Sequence, residues 1–162
     1  MSQNKQINSE KYNSKPSFKI AKISLNNFRN YSDLELFPNK SPIVIFGENG
    51  SGKTNILEAI SFLAPGKGLR SIKYEDVTHK NNKLGWSVSA VIDDVKNNFK
   101  PVLGTGIFEN KNLNKSGRVL KVDQEFKPIS FLSKLLSILW ITPQMDGIFW
   151  QKNQREESFL ID

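Results

Sequence analysis

Cysteine is absent from this chain of 162 residues, and histidine occurs once, at His79. Disulfides and thiolate metal sites are therefore excluded. His79, in "DVTHKNN", has no His, Cys or carboxylate at ligand spacing and reads as an exposed residue. No apolar run approaches the roughly 20 residues that a bilayer requires. The polar start, "MSQNKQINSEKYNSKPS", lacks the apolar segment of a secretory signal. Internal repeats and coiled-coil heptads are missing too. Together these absences predict a soluble, cytoplasmic protein with no membrane partner.

Arginine is scarce: the 23 basic residues comprise 19 Lys and 4 Arg, beside 17 Asn. The net charge is +7, the sequence pI about 9.6 and the mean hydropathy −0.43. Such a balance permits nucleic-acid binding. A Lys- and Asn-rich composition is also what an AT-rich coding sequence produces whatever the function, so charge alone assigns no partner. The length suits one domain. Residues 1–17 read as a disordered polar tail, residues 18–150 as the folded part, and residues 151–162 as a divergent end.

Hydrophobic patterning sets the elements. "FKIAKISLNNF" (Phe18 to Phe28) and "YSDLELF" (Tyr31 to Phe37) read as two strands around a short Asn-rich turn. "IVIF" (Ile43 to Phe46) is a continuous apolar run, the mark of a strand covered on both faces. Ile56, Leu57, Ile60 and Leu63 recur at helical spacing, and "APGKG" stops that helix. Residues 84–94, 100–109 and 117–123 read as an antiparallel meander. "PISFLSKLLSILW" (Pro128 to Trp140) reads as a helix opened by a proline.

Between the apolar run and the first helix stands Gly47-Glu48-Asn49-Gly50-Ser51-Gly52-Lys53-Thr54, which satisfies G-x-x-x-x-G-K-S/T. Glycines let the backbone turn so that successive N–H groups cradle anionic oxygens. A helix starting at Thr54 would add its N-terminal dipole. Lys53 would reach the β- and γ-phosphates, and the Thr54 hydroxyl would sit on Mg²⁺. The bland alternative is a glycine turn that only joins strand to helix. The apolar lead-in and amphipathic exit favour a true phosphate loop.

The loop with its flanks, "NFRNY", "GENGSGKTNILEAI", "FLAPGKGLRS" and "LWITPQMDGIF", resembles the RecF family of bacterial recombination mediators, relatives of the SMC ATP-binding heads. The resemblance spans about Lys19 to Phe149. It implies an α/β P-loop NTPase fold, the N-terminal part of an ABC-type ATPase head, with an antiparallel β lobe. It further implies ATP and Mg²⁺ as cofactors and binding to DNA at single-strand/double-strand junctions. RecO and RecR would be partners in gap repair, RecA loading, replication and the SOS response. By position, Arg29 falls where such heads carry a basic residue near the nucleotide, or it simply caps the hairpin. Gln144 falls where a Q-loop residue senses Mg²⁺, or is exposed polar surface. Lys67, Arg70 and Lys73, with Lys80 and Lys83, are candidate DNA contacts or a solvated loop.

A hydrolytic ABC site also needs a signature loop and a strand ending in paired acids. "VSAVIDD" (Val88 to Asp94) mimics the latter, but no signature segment precedes it and "IDDVKNN" reads as a hairpin turn. The sequence therefore predicts ATP binding with little or no hydrolysis by this chain alone. "REESFLID" departs from the family's pattern and, with the stop that follows, reads as a truncated RecF-type product, for which the ATP-sandwich dimer would be closed. A non-functional remnant and a free-standing small P-loop kinase or GTPase are the alternatives. Trp86 and Trp140 read as core, and Trp150 has no assignment. Without neighbours, the run Ile43 to Phe46 would leave apolar surface exposed.

Overall fold

The structure is a computed structural model that describes residues 18–38, 41–80, 85–108 and 117–142. The expected tail, the divergent end, Lys83, Gln144 and Trp150 lie outside the described residues.

Six antiparallel strands form one sheet in the order β2-β1-β3-β4-β5-β6. They are β1 (Phe18–Phe28), β2 (Tyr31–Leu36), β3 (Gly85–Asp94), β4 (Val102–Phe108), β5 (Val119–Val122) and β6 (Glu125–Lys127). The period of two predicted for the meander is explicit in β3: Trp86, Val88, Ala90 and Ile92 are buried, while Ser87, Ser89, Val91 and Asp93 are half-buried on the other face. Cross-strand register carries this stripe along the sheet. Ile23 faces Ala90 and Leu25 faces Val88 across β1 and β3, and Leu103 faces Ala90 across β3 and β4.

Helix α1 (Lys53–Ser61) covers this inner face. It buries Ile56 and Ala59, and Phe62 and Leu63 just beyond its end complete the contact. Phe28, Phe62 and Trp86 pack edge-on or tilted, with centroids 4.9–6.0 Å apart. The Trp86 indole donates to the Tyr74 carbonyl at 2.7 Å, so its one polar atom is satisfied inside the core. Trp86 is thus core, as read from the sequence.

Arg118 ties the lobe to the helix. It is only 8% exposed, yet every donor it buries has an acceptor. Its guanidinium donates to the Phe62 and Ala64 carbonyls, to Gly66 O at 2.8 Å and to Thr105 Oγ1 at 2.7 Å. A cation among the carbonyls that follow a helix end satisfies acceptors the helix cannot. Nothing in "GRVLKVD" announced this role, because its carbonyl acceptors lie more than 50 residues earlier.

Three elements differ from expectation. Ile43 to Phe46 is not a strand: among the described residues no backbone pairs with it, and Val44 and Phe46 are 78% and 89% exposed. An apolar run signals a need for cover without supplying it. Here it lines an open apolar cleft of about 340 Å³ with Ile20, Ile23, Leu36 and Ile56. The expected exposure is therefore present, but without strand pairing. The helix expected over Pro128 to Trp140 is a 3-10 turn (Ile129–Phe131) and a single helical turn, α2 (Leu132–Leu135). Leu136 then turns extended, with φ −155° and ψ 154°. Ile138, Leu139, Trp140 and Ile141 are consecutive rather than three or four apart, so no helix could put them on one stripe. The extended segment instead lines a cleft beside Thr54, Leu57 and Ile60 of α1. Finally, β6 was not foreseen. It returns from β5 through Asp123 and Gln124, both at positive φ (49° and 70°), a tight turn made without the usual glycine.

Gly106 sits where β3 and β4 approach most closely. An added Cβ would fall onto the Trp86 carbonyl oxygen, whereas one at Gly104 would meet nothing within 4 Å. Gly106→Ala should therefore lower unfolding free energy by about 1–3 kcal/mol, and Gly104→Ala should leave it within about 0.5 kcal/mol. Urea denaturation of the two variants checks the pair.

Candidate phosphate-binding site

Gly47–Thr54 connects the unpaired apolar segment to α1. The helix opens at Lys53, one residue before the expected start. Gly52 precedes it at φ +100°, a left-handed conformation that other residues rarely adopt. Its carbonyl accepts from Asn55 N at 2.8 Å and Ile56 N at 3.2 Å, which starts the first helical turn. The Lys53 ammonium folds back over the loop and donates to Gly47 O at 2.7 Å and Glu48 O at 2.6 Å. The cation is thus held at the loop by weak neutral acceptors that a phosphate oxygen can replace. Thr54, in the first turn, is exposed.

The loop rests on the turn between β1 and β2. Three consecutive residues, Arg29 to Tyr31, reach the loop or the helix it opens. Tyr31 Oη donates to Ser51 O at 3.3 Å, and Asn30 Oδ1 accepts from Asn55 Nδ2 at 2.8 Å. Arg29, at φ 57°, donates from Nε and Nη2 to the two oxygens of Glu58 at 2.9 and 2.7 Å. Arg70 adds a third bond, to Glu58 at 2.9 Å, and also donates to Asn55 Oδ1 at 3.1 Å. Glu58 is fully buried. The charge-assisted bonds of two guanidiniums make that burial tolerable.

Sequence reading missed Glu58 as a structural centre. It put Leu57 on the buried stripe, but Leu57 is 52% exposed and its neighbour is inside. The partner arginines lie 29 and 12 positions away, so no local pattern could mark the site. The Arg29 side chain is committed to Glu58, and it also lines a cavity of about 510 Å³ with Asn30, Asn55, Arg70, Thr78 and Lys80.

The remaining candidates separate. Lys67, Arg70 and Lys73 are all exposed, but the Arg70 guanidinium is paired with Glu58. His79 is half-buried rather than exposed: its backbone N–H donates to Asn27 O at 2.7 Å, which seats it against the end of β1. Asp94 closes the β3–β4 turn. Its carboxylate accepts from Asn97 Nδ2 at 2.7 Å and Asn97 N at 3.1 Å. The Asn97 side-chain bond, helped by backbone N–H groups, holds the Asp94 carboxyl below its usual range against the opposing effect of burial. Asp93 and Asp94 are the last two residues of β3, and the turn read from the sequence follows at residues 95–98, with Asp94 bonded across it. Trp140 is half-buried at the cleft beside α1 and is not part of the core cluster. Among the described residues, no group of three or more His, Cys, Asp or Glu could hold a metal ion.

Comparison with known proteins bears directly on this arrangement. The RecF/RecN/SMC N-terminal domain matches residues 19–141, which takes in Arg29, Glu58 and Arg70, the loop and all of the sheet but its first residue. The chain belongs to the RecF/RecN/SMC N-terminal domain family. It is 39% identical over 141 residues to the DNA replication and repair protein RecF of Brucella abortus, covering 87% of this chain and 36% of that protein. It is 40% identical over 139 residues to RecF of Rickettsia akari, with 85% and 36% covered. The chain therefore spans just over a third of the length of these curated relatives. A solved structure of the recombination mediator protein RecF with ATP, in the RecFOR pathway, matches with a TM-score of 0.69 at 23% identity, over 82% of this chain and 35% of that one. A second RecF structure matches with a TM-score of 0.62. The fold is that of the family's P-loop ATPase head, with its antiparallel sheet.

Removing the Glu58 carboxylate leaves two guanidiniums facing a buried void. Glu58→Ala should cost about 3–5 kcal/mol of stability. Arg29→Ala should cost more than Arg70→Ala, because Arg29 is bidentate and less exposed (side chain 20% against 39%). Guanidinium denaturation of the three variants gives the order, and equal losses for the two arginines would contradict it.

Proposed function

We propose that this chain binds Mg-ATP at Gly47–Thr54 and is the nucleotide-holding part of a RecF-type DNA replication and repair protein. The observation that carries this reading is the arrangement of the loop itself. Lys53 Nζ is already seated over it on two replaceable carbonyls, and the loop opens a nine-residue helix. An ATP phosphate would fit because the loop offers a backbone cradle, a cation and a helix N-terminus at one spot. Gly47, Glu48, Asn49, Gly50, Ser51 and Gly52 supply the backbone groups and Lys53 the charge. Mg²⁺, bound chiefly by the phosphates, would take the Thr54 hydroxyl as its protein ligand. When bound, Mg-ATP supplies the metal-bridged phosphates that such loops are built to hold.

The neighbouring cavity, with Arg29 on its wall, has room for the rest of the nucleotide. Gln144 is kept as the candidate Mg²⁺ sensor. Thr142, two residues before it, lines the same cleft as Thr54. Asp94, at the end of β3, is engaged by its turn, and on this reading the chain alone binds ATP with little or no turnover.

DNA is the macromolecular partner that the relatives' names favour. Lys67 and Lys73 remain exposed for its backbone, and the chain is basic overall. Arg70 is a contact only through whatever part of its guanidinium Glu58 leaves open. Action in the cytoplasm with RecO and RecR in gap repair, RecA loading and the SOS response completes the proposal. It rests on the family relationship.

Titration calorimetry tests the core of it. Mg-ATP should bind the 162-residue chain, and Lys53→Ala should weaken binding about ten- to a hundredfold, the worth of a charge-assisted hydrogen bond. Unchanged affinity in Lys53→Ala, or rapid hydrolysis by the parent chain, would contradict the reading.

A further inference from the structure

The peptide between Ser51 and Gly52 is the last one before α1, and its two polar ends face opposite ways. In a planar trans peptide the C=O and N–H vectors are antiparallel. The Ser51 carbonyl is engaged by Tyr31 Oη at 3.3 Å, on the side of the β1–β2 turn. The Gly52 N–H must then point away from that turn, and it has no hydrogen-bond acceptor among the described residues. Gly52 also lies directly against the turn: an added Cβ would come within 2.5 Å of Tyr31 Oη and 2.6 Å of the Asn30 amide. The turn itself cannot drift, because the adjacent Arg29 is bonded twice to buried Glu58 on the same helix that the loop opens.

From this geometry we infer that Tyr31 is a positioning residue of the phosphate loop: its hydroxyl sets the rotation of the Ser51–Gly52 peptide so that the Gly52 N–H is presented to the bound phosphate. Asn30 assists from the neighbouring position, where its side-chain oxygen holds Asn55 Nδ2 at 2.8 Å and fixes the first turn of α1 to the same hairpin. The inference rests on the ATP-binding reading and assigns Tyr31 no direct contact with nucleotide. It concerns the direction of one donor. Without the hydroxyl, a loop that contains Gly50 and Gly52 at positive φ has backbone freedom to rotate that peptide.

The test uses Tyr31→Phe, which deletes one oxygen and keeps the ring. In ¹⁵N-labelled parent protein, the Gly52 amide proton should move downfield on addition of Mg-ATP, as a new hydrogen bond to phosphate requires. In Tyr31→Phe the melting temperature should stay within about 2 °C, the affinity should fall about two- to tenfold, and the downfield shift of Gly52 should shrink. Asn30→Ala should reduce the shift in the same sense. A purely structural role for the hydroxyl would instead lower the melting temperature and leave the Gly52 shift intact at saturation. If Tyr31→Phe keeps both parental affinity and parental shift while Lys53→Ala weakens binding, the positioning role is overturned and the ATP reading stands. If the folded parent binds no Mg-ATP, both are overturned.

Discussion

The carboxylate of Glu58 is the constraint around which the rest of the site is arranged. An ionised group removed from water is tolerated only when it is paired and hydrogen-bonded. Here the donors come from two different parts of the chain: Arg29 from the β1–β2 turn and Arg70 from the loop after α1. Satisfying one buried charge therefore sets the position of a hairpin and of a loop against one helix. The hairpin's next two residues, Asn30 and Tyr31, are then carried onto the phosphate loop. Arg118 does the corresponding work just beyond the C-terminal end of α1, where it joins the carbonyls after the helix to β4 and to the start of β5. Three of the chain's four arginines thus hold the helix, two at Glu58 and one past its C-terminal end.

That scarcity of arginine gives a physical reading of the basic composition. Lysines dominate the surface, where a flexible point charge suffices. Arginines stand where several acceptors must be met at once by a planar fork. The net charge of the chain thus says little about the site, while the placement of three guanidiniums says much. The loop before α1 carries the Lys53 ammonium on two of its own carbonyls, and Asp94 at the end of β3 is bonded to Asn97 in the turn that follows.

Much of this was legible in the sequence, for identifiable reasons. The phosphate loop was readable because its chemistry demands fixed residues at fixed spacing. Strands β1 to β5 were readable because alternation is local, as in Trp86, Val88, Ala90 and Ile92. The turn after Asp94 was readable because Asn97 and Asn98 follow it. The failures share one cause, dependence on distant partners. Ile43 to Phe46 has the composition of a covered strand, but composition does not name the cover. Glu58 drew no assignment in the sequence, because the arginines that pair with it lie 29 and 12 positions away. The helix read over Pro128 to Trp140 stops at Leu135, because the consecutive apolar residues Ile138, Leu139 and Trp140 cannot share one helical stripe. β6 was hidden because Asp123 and Gln124 form its turn without glycine.

The account holds that the hairpin, α1 and the phosphate loop are one preassembled unit in which only the Lys53 ammonium moves when a phosphate arrives. A crystal structure of this chain with Mg²⁺ and a non-hydrolysable ATP analogue tests this most directly. The account predicts Lys53 Nζ transferred from Gly47 O and Glu48 O to a phosphate oxygen, with the two Arg29–Glu58 bonds still near 2.9 and 2.7 Å. A nucleotide bound away from Gly47–Thr54, or Arg29 released from Glu58 to make room for it, would contradict the account.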